Sequence, residues 1–298
     1  MVRCIVVDRT TVDLIRMNGF SKITVLGGGL LGGSIALAPV MAGRVCLWSR
    51  RAESTQAAQA RGMVATSNLA EAVRQAELLI LCVPVGSMAQ LLQQSIAAGL
   101  PSTCLITDVG SVKRLPHQTL RPVLQQQGLR FVGSHPMAGG EKGGIDHARR
   151  DLFDGAACLL TNDEQQPDLV CQAVEHFWRE LGCRTSWTSA TEHDAIVARV
   201  SHFPHVLASV GAMIGLEKPE WGGFSGGGLR DTTRVAAGNP PMWAEILLEN
   251  RDLVGELLQQ ARGEIETLSQ LLQSQQTEAL EAWLAEAKKR RDALLPRP

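Results

Sequence analysis

A glycine-rich turn between a short apolar run and a helical stretch constrains this chain more than any other feature. The segment ITVLGGGLLGGS occupies residues 23–34. Its G-x-G-x-x-G spacing suits a strand, a tight turn and a helix whose N-terminus receives a pyrophosphate, because glycines allow the backbone to approach closely. The pattern therefore predicts a dinucleotide-binding unit. The residues expected to contact the dinucleotide in this turn are Gly27, Gly29, Leu30, Leu31 and Gly32.

Short apolar runs alternate with helical stretches from residue 22 to residue 161, which is typical of βαβ units around a parallel sheet. The predicted strands are Ile23–Leu26, Val45–Trp48, Leu78–Val83, Cys104–Thr107, Phe131–Val132 and Cys158–Leu160. The predicted helices between them are Leu30–Met41, Arg51–Arg61, Leu69–Gln75 and Ser87–Ala98. A final helix and strand, Leu169–Leu181 and Thr185–Trp187, complete the sheet. We therefore expect a Rossmann-type doubly wound α/β domain over residues 17–190.

The remaining residues, 191–298, contain no strand-like run and repeat their apolar side chains at helical spacing. One stripe consists of Leu253, Leu257, Ala261, Ile265, Leu268 and Leu272. Such a stripe packs either within one chain or against a second copy, and we favour an all-helical domain that forms a homodimer. Residues 1–16 fit neither domain. We expect them to be a non-native or mis-assigned leader ahead of Met17.

Composition excludes several classes of protein. The 298 residues carry 29 Lys and Arg against 30 Asp and Glu, so no basic excess favours nucleic acid or an anionic membrane. The longest apolar run, Val206–Leu216, is shorter than the roughly 18–20 residues that span a bilayer. Seven dispersed cysteines without a C-x-x-C pair indicate neither a disulfide framework nor a metal site. We expect a cytoplasmic protein.

The end of the second predicted strand bears on the choice of dinucleotide. NAD-binding units usually carry an acidic residue there, which bonds the ribose hydroxyl. This chain instead has Ser49, Arg50 and Arg51, and the two guanidinium groups suit a 2′-phosphate. The alternative is a solvated, basic strand end. We expect NADP, with NAD as the less favoured cofactor.

Three further segments follow predicted strand ends, where open α/β sheets bind their ligands. They contain Val83 and Pro84, Ser111 within DVGSVK, and His135 within GSHPMAGG. A histidine in such a position can accept a proton at neutral pH, because its reference pKa is about 6.5. A structural histidine with satisfied hydrogen bonds is the alternative for His135.

Several motifs together give the chain a family resemblance. GGGLLGGS, DVGSVK, GSHPMAGGEKGG, LFDGAACLLT, HDAIVARVSHFPH and GLRDTTR occur in this order from about Lys22 to the C-terminal helices. The set resembles the prephenate and arogenate dehydrogenases of tyrosine biosynthesis. The resemblance implies a Rossmann-type domain, a helical dimerisation domain and an active site between them.

The resemblance also implies roles for individual residues. His135 would be the catalytic histidine, paired with the hydroxyl on ring carbon 4 of the substrate, and Ser111 would contact that hydroxyl and the nicotinamide. Arg230 would clamp a substrate carboxylate, with Arg234 one turn on. The further substrate contacts it implies are Glu141, His193, Ser201, His202 and His205.

Structural alternatives stay open for these side chains. The histidines after residue 190 would equally suit a polar stripe on an interdomain helix. The two arginines would suit ordinary ion pairs with Asp231 or Glu245.

The implied reaction is the oxidative decarboxylation of a cyclohexadienyl carboxylate, with hydride transfer from ring carbon 4 and loss of CO2 from ring carbon 1. NADP use favours arogenate by family analogy, and prephenate stays open. Two other functions compete. One is another two-domain NADP oxidoreductase, of the β-hydroxyacid dehydrogenase or imine reductase type, which usually depends on a lysine in its helical domain. Only Lys218 occurs there before Trp243. The other is a catalytically silent NADP-binding sensor.

Overall fold

A computed structural model describes residues 19–140 and 142–294 of the chain. The expected leader, residues 1–16, and the predicted substrate contact Glu141 lie outside these ranges. The fold divides into two compact units with a boundary between Asn250 and Arg251.

The first unit is built on an eight-stranded sheet. Its strands are β1 Ile23–Leu26, β2 Val45–Trp48, β3 Ala65–Thr66, β4 Leu78–Leu81, β5 Leu105–Asp108, β6 Arg130–Pro136, β7 Ala157–Thr161 and β8 Arg184–Thr188. The helices that connect them are α1 Leu30–Leu37, α2 Ala52–Ala60, α3 Leu69–Val73, α4 Val85–Ala97, α5 Arg114–Gln127 and α6 Asp168–Glu180. Short 3-10 turns at Pro39–Met41 and Ile145–His147 complete this part.

The strands lie in the order β3-β2-β1-β4-β5-β6-β7-β8. Pairing is parallel from β3 through to β6, β7 runs antiparallel to β6, and β8 is parallel to β7. Chain order reverses between β1 and β4, and the crevice at such a switch point is where doubly wound sheets bind ligands. The predicted Rossmann-type sheet is confirmed.

Helices cover both faces of the sheet. Strand β4 is therefore buried on both faces, which explains why its sequence is apolar throughout. Leu78 and Ile80 pack into one hydrophobic cluster, whereas Leu79 and Leu81 pack into the other. All four side chains are fully buried. Successive side chains of a strand point to opposite faces, so a strand buried on both faces becomes an uninterrupted apolar run.

Several elements differ from the sequence-based expectation, among them β6, which spans Arg130–Pro136 instead of Phe131–Val132. Helix α5 has no predicted counterpart, because it contains two prolines, which usually interrupt helices; Pro116 lies in its first turn, where a missing N–H is tolerated, and Pro122 lies inside it. Strand β3 was too short to be seen as an apolar run. Helix α1 ends at Leu37 instead of Met41, because Pro39 disfavours helical geometry at Ala38.

After β8, every regular element in the described part of the first unit is helical. Helix α7 (Ala190–Val197) continues through a π-helical turn, Ala198–His202, into α8 (Phe203–Gly215). The 3-10 turn Pro219–Phe224, α9 Gly227–Thr233, the 3-10 turn Arg234–Ala237 and α10 Pro240–Glu249 follow.

The second unit is a pair of helices, α11 (Arg251–Gln273) and α12 (Thr277–Asp292), that pack against each other. The Trp283 indole donates to Glu264 Oε2 at 2.9 Å. Of the predicted stripe, Leu257 is buried, whereas Ile265 and Leu272 are exposed. No helix in the described ranges is long and apolar enough to cross a bilayer.

Candidate active site

The glycine turn joins β1 to α1 at the switch point of the sheet. A Cβ on Gly27 would lie 2.2 Å from the Cys82 carbonyl oxygen, and one on Gly32 would lie 2.1 Å from the Gly27 carbonyl oxygen. By contrast, a Cβ on Gly29 would meet nothing within 4 Å. The turn is therefore closed on the protein side and open beside the N-terminus of α1, where Leu30 and Leu31 are half-buried. This geometry fits a pyrophosphate.

The residues after β2 present two positive charges at the same edge of the sheet. Ser49 is buried, and its hydroxyl accepts the Arg51 backbone N–H at 3.3 Å. Arg50 and Arg51 are exposed, and neither guanidinium forms a hydrogen bond or ion pair with a residue in the described ranges. Both are available to an anionic ligand.

The Asp108 carboxylate connects the loops that carry Ser111 and His135. Asp108 ends β5, and its Oδ2 accepts the Gly110 N–H at 2.9 Å while its Oδ1 accepts the Ser134 N–H at 2.9 Å. Lys113 forms a fully buried ion pair with the same carboxylate. These contacts hold the turn with half-buried Ser111 beside the end of β6, because parallel neighbours end at one edge of a sheet.

Val83 and Pro84 follow β4 at that edge. Pro84 directly precedes α4. In the first turn of that helix, the backbone N–H of Gly86 donates to Glu245 Oε1 at 3.2 Å. Helix α10 therefore touches the loop after β4. Burial, and then the neighbouring Glu245, raise the pKa of Glu249 on the same helix to about 7.

Three side chains form a hydrogen-bonded chain that reaches from β6 to α7. His135 Nδ1 lies 2.9 Å from His193 Nε2, and His193 Nδ1 lies 2.8 Å from Asp194 Oδ1. All three residues are buried, with His135 the most accessible at 8% exposure. The structure thus brings together two histidines that are 58 residues apart in the sequence.

Asp194 is held as a carboxylate by several donors. Its oxygens accept from the backbone N–H of Lys113 at 2.7 Å and from the backbone N–H and Nε of Arg114 at 3.1 and 3.0 Å. Burial by itself raises the pKa of Asp194, but the hydrogen bonds from His193, Lys113 and Arg114 outweigh burial and lower it.

The ionised carboxylate of Asp194 determines which ring nitrogens of neutral His193 and His135 carry a proton. A carboxylate only accepts, so His193 donates from Nδ1 and its Nε2 must accept. His135 then donates from Nδ1 to His193, which leaves an unprotonated Nε2 on His135. No residue in the described part of the chain hydrogen-bonds that Nε2. The arrangement therefore produces a base.

Electrostatics keep these imidazoles neutral. Burial, followed by electrostatic interactions with His193, Lys113 and His202 that disfavour a second proton on the ring, holds the pKa of His135 well below its ordinary value. Burial also lowers the pKa of His193, although the hydrogen bond to Asp194 partly offsets this effect. His135 is consequently free to accept a proton at neutral pH.

A second pair of histidines lies on the helix after α7. Burial lowers the pKa of His202 to about 4. The His205 ring stacks on Trp243 of α10, with centroids 3.6 Å apart and planes inclined by 7°. Gly238 permits this stack, because a Cβ there would lie 2.3 Å from Trp243 Nε1.

The π-helical turn explains how these histidines join the site. In a regular α-helix, positions eight residues apart differ by about 80° around the axis. The extra residue of a π turn removes most of this angular difference, so residues 194 and 202 lie on nearly the same side of the helix. The Asn250 side chain therefore contacts both the Asp194 backbone carbonyl and the His202 ring. Ser201, within the turn, is half-buried.

The predicted carboxylate-binding arginines lie on the segment that packs against α8, the helix of His205. Arg230 on α9 and Arg234 on the next 3-10 turn are exposed. The Arg230 guanidinium has no hydrogen bond or ion pair with a described residue, so the alternative of an ion pair with Asp231 or Glu245 does not apply to Arg230. Glu141 lies outside the described residues.

Several residues of the cluster went unassigned in the sequence analysis. They are Asp108, Lys113, Arg114, Asp194, Trp243 and Asn250. Asp108 and Lys113 lie within the DVGSVK motif and Asp194 directly follows His193, so motif membership could have indicated these three. Nothing local distinguishes Asn250. Within the described ranges, no group of three or more His, Cys, Asp or Glu side chains could hold a metal ion.

Two family profiles match the chain in succession. The profile described as "Prephenate dehydrogenase, nucleotide-binding domain" matches residues 38–187. The profile described as "Prephenate dehydrogenase, dimerization domain" matches residues 189–286. Together they span most of the chain.

Individual relatives agree with the profiles. The cyclohexadienyl dehydrogenase of Zymomonas mobilis is 34% identical over 290 residues, covering 93% of this chain and 97% of the relative. Prephenate dehydrogenase from Aquifex aeolicus, solved with hydroxyphenyl propionate and NAD+, superposes with a TM-score of 0.80 at 28% identity, covering 91% of this chain and 97% of that one. Arogenate dehydrogenase from Synechocystis gives a TM-score of 0.73 at 28% identity, covering 91% and 99%.

Proposed function

The chain belongs to the prephenate dehydrogenase family, and from this premise we propose that it oxidises and decarboxylates arogenate, prephenate or both, with NADP+ as the preferred hydride acceptor. Family membership makes it a dehydrogenase with a nicotinamide dinucleotide-binding domain. The choice of substrate and of dinucleotide is our proposal.

One observation carries the proposed chemistry: the unprotonated Nε2 of His135 at the end of the Asp194–His193–His135 chain. The substrate would present the hydroxyl on ring carbon 4 to this nitrogen. The nicotinamide ring, when bound, takes the hydride from that carbon. As the hydride leaves, His135 accepts the hydroxyl proton, and the oxygen gains carbonyl character.

Cleavage of the bond between ring carbon 1 and its carboxylate completes the reaction. Its electron pair enters the ring, CO2 leaves, and the aromatic ring that forms makes the reaction irreversible. The resulting phenolate oxygen takes back the proton from His135 Nε2, so the imidazole is regenerated. Ser111, on the neighbouring turn, would orient the same hydroxyl.

The positive side chains would hold the anionic parts of the ligands. Arg230, with Arg234 one turn on, would bind a substrate carboxylate. Arg50 and Arg51 would bind the 2′-phosphate of NADP+, and their lack of carboxylate partners among the described residues supports this assignment. The open face at Gly29 would receive the pyrophosphate.

A homodimer is part of the proposal. Between α7 and α11 the chain exposes large apolar side chains, among them Met213 at 80% and Phe224 at 90% exposure. Apolar exposure of this kind marks interaction surfaces, and the matching profile is that of a dimerisation domain. Ile265 and Leu272 of the second unit are exposed as well.

Parallel kinetics test the proposal. Purified protein is mixed with arogenate or prephenate, each with NADP+ or NAD+, and the absorbance of the reduced cofactor is followed. We expect reduction with at least one of the two substrates, and a higher kcat/KM with NADP+ than with NAD+. Absence of reduction in all four mixtures would contradict the proposed activity, and a preference for NAD+ would contradict the cofactor assignment alone.

A further inference from the structure

Asn250 is fully buried at the end of the first unit and uses all its hydrogen-bonding groups. Its Oδ1 accepts from Arg114 Nη2 at 2.8 Å. Its Nδ2 donates to the backbone carbonyl of Asp194 at 2.9 Å and lies 3.2 Å from His202 Nδ1. This one amide therefore connects α5, α7 and the π-helical turn.

The partners of Asn250 fix the orientation of its amide. A guanidinium has donors only, so the atom facing Arg114 must be the oxygen. A backbone carbonyl only accepts, so the atom facing Asp194 must be the nitrogen. The remaining amide proton points at His202 Nδ1, which must then be an unprotonated acceptor.

The other nitrogen of His202 therefore carries the proton. His202 is 1% exposed, and its Nε2 has no hydrogen-bond partner in the described part of the chain. The ring lies edge-on to Trp243, with centroids 6.2 Å apart. The charged and titratable groups around it are Asp194, His193 and His205. A buried donor without an acceptor is unfavourable, so this N–H is available to an acceptor oxygen from outside the chain.

We propose that Asn250 is a positioning residue that holds His202 as the neutral Nε2–H tautomer, so that His202 donates a hydrogen bond to an oxygen of the bound substrate. The identity of that acceptor rests on the proposed function. The tautomer follows from the protein's own hydrogen bonds. Asn250 also accepts a hydrogen bond from Arg114, and Arg114 in turn donates to the Asp194 carboxylate. The Asn250 amide therefore connects His202 to the hydrogen-bonded chain of Asp194, His193 and His135.

The tautomer can be measured without substrate. In protein labelled with ¹⁵N-histidine, nitrogen chemical shifts distinguish protonated from unprotonated ring positions, and loss of one signal set in His202→Gln assigns that residue among the seven histidines. We expect His202 to be protonated on Nε2 and unprotonated on Nδ1 at neutral pH. A proton on Nδ1 in the wild-type protein overturns the proposal.

Asn250→Asp sharpens the test, because the new carboxylate has nearly the same shape and cannot donate. We expect His202 Nδ1 to become protonated in this variant. Asn239→Asp is the matched control: Asn239 is exposed and caps α10 by accepting the Met242 N–H, a bond that Asp also makes, so His202 should keep its tautomer. An unchanged His202 tautomer in folded Asn250→Asp overturns the proposal.

Two substitutions of His202 itself test the use of the donor. Gln places an N–H near the position of Nε2, whereas Asn places polar atoms near the position of Nδ1. We expect His202→Asn to raise the substrate KM by about 10–100-fold, as for a lost hydrogen bond to a charged group, and His202→Gln to raise it less. Equal effects of the two substitutions overturn the role in binding. Absence of turnover in the wild-type protein would instead overturn the proposed function and leave the tautomer measurement standing.

Discussion

The imidazole chain at the end of β6 and the arginine-bearing segment from α9 to the following 3-10 turn belong to the same compact unit and differ in how they are held. His135 and His193 are buried, and hydrogen bonds within the chain fix their positions. Arg230 and Arg234 are exposed, and the neighbouring Phe224 is 90% exposed.

This difference separates two tasks. A base needs a defined tautomer and an imidazole that is neutral at the working pH, and both arise here from burial and intrachain hydrogen bonds. A carboxylate clamp needs a charge that remains available to the ligand, so it lies where the chain leaves side chains uncovered. The hydrogen-bonded histidines are fixed by contacts within one chain, whereas the two arginines remain exposed.

Removing the base should have the largest effect. His135→Asn retains polar atoms but cannot accept the proton, so turnover should fall by about 10²–10⁴-fold with little change in substrate KM. Steady-state kinetics measure both quantities, and His176→Asn, on the exposed side of α6, is the control. A variant that keeps its turnover and loses only affinity would move the base to another residue.

Removing the clamp should affect binding more than turnover. A carboxylate contact is made in the ground state and in the transition state, so Arg230→Ala should raise the substrate KM by about 10–100-fold and change kcat less. Arg199 is exposed within the π-helical turn, and Arg199→Ala controls for loss of a surface charge. If kcat falls as steeply as in His135→Asn, the contrast between base and clamp does not hold.

The exposed arginines after β2 should act on only one of the two dinucleotides. Arg50→Ala removes a contact to the 2′-phosphate, so we expect the KM for NADP+ to rise about tenfold and the KM for NAD+ to stay nearly constant. Exposed Arg74, which caps α3, offers Arg74→Ala as a control. Equal losses for both dinucleotides would contradict the assignment.

The smallest effect concerns acid stability, which should depend on the buried histidines and not on the arginines. The pKa of His202 is about 4 in the folded protein against an ordinary 6.5, so its contribution to stability is complete above pH 6.5 and is lost as the pH falls towards 4. One such group contributes a slope of at most about 1.4 kcal/mol per pH unit.

Denaturant unfolding at several pH values measures this slope. His202→Gln should flatten the decline in unfolding free energy by about 1 kcal/mol per pH unit between roughly pH 6 and 5. His147→Gln, at an exposed position, should leave the decline unchanged. The same slope in wild type and His202→Gln would show that the burial of His202 does not control acid stability.

The strands of the sheet and the glycine-rich turn could be predicted from the residues alone. Apolar runs buried on both faces and a glycine-rich segment of fixed spacing are patterns along the chain, so β1, β2, β4 and the Gly27–Gly32 turn could be predicted directly from the residues. The motifs also identified His135 and His193 as candidates.

The hydrogen bonds among the candidate site residues depend on the tertiary structure. The Asp194–His193–His135 chain, the π-helical turn and the contacts of Asn250 all join residues from distant segments, and their consequence, the position of single protons, depends on distances near 3 Å. Residue type and spacing carry no such information, because an imidazole becomes a base or a donor according to what its other nitrogen meets. The physical reason is that hydrogen bonding is directional and non-local, whereas hydrophobic patterning is local along the chain.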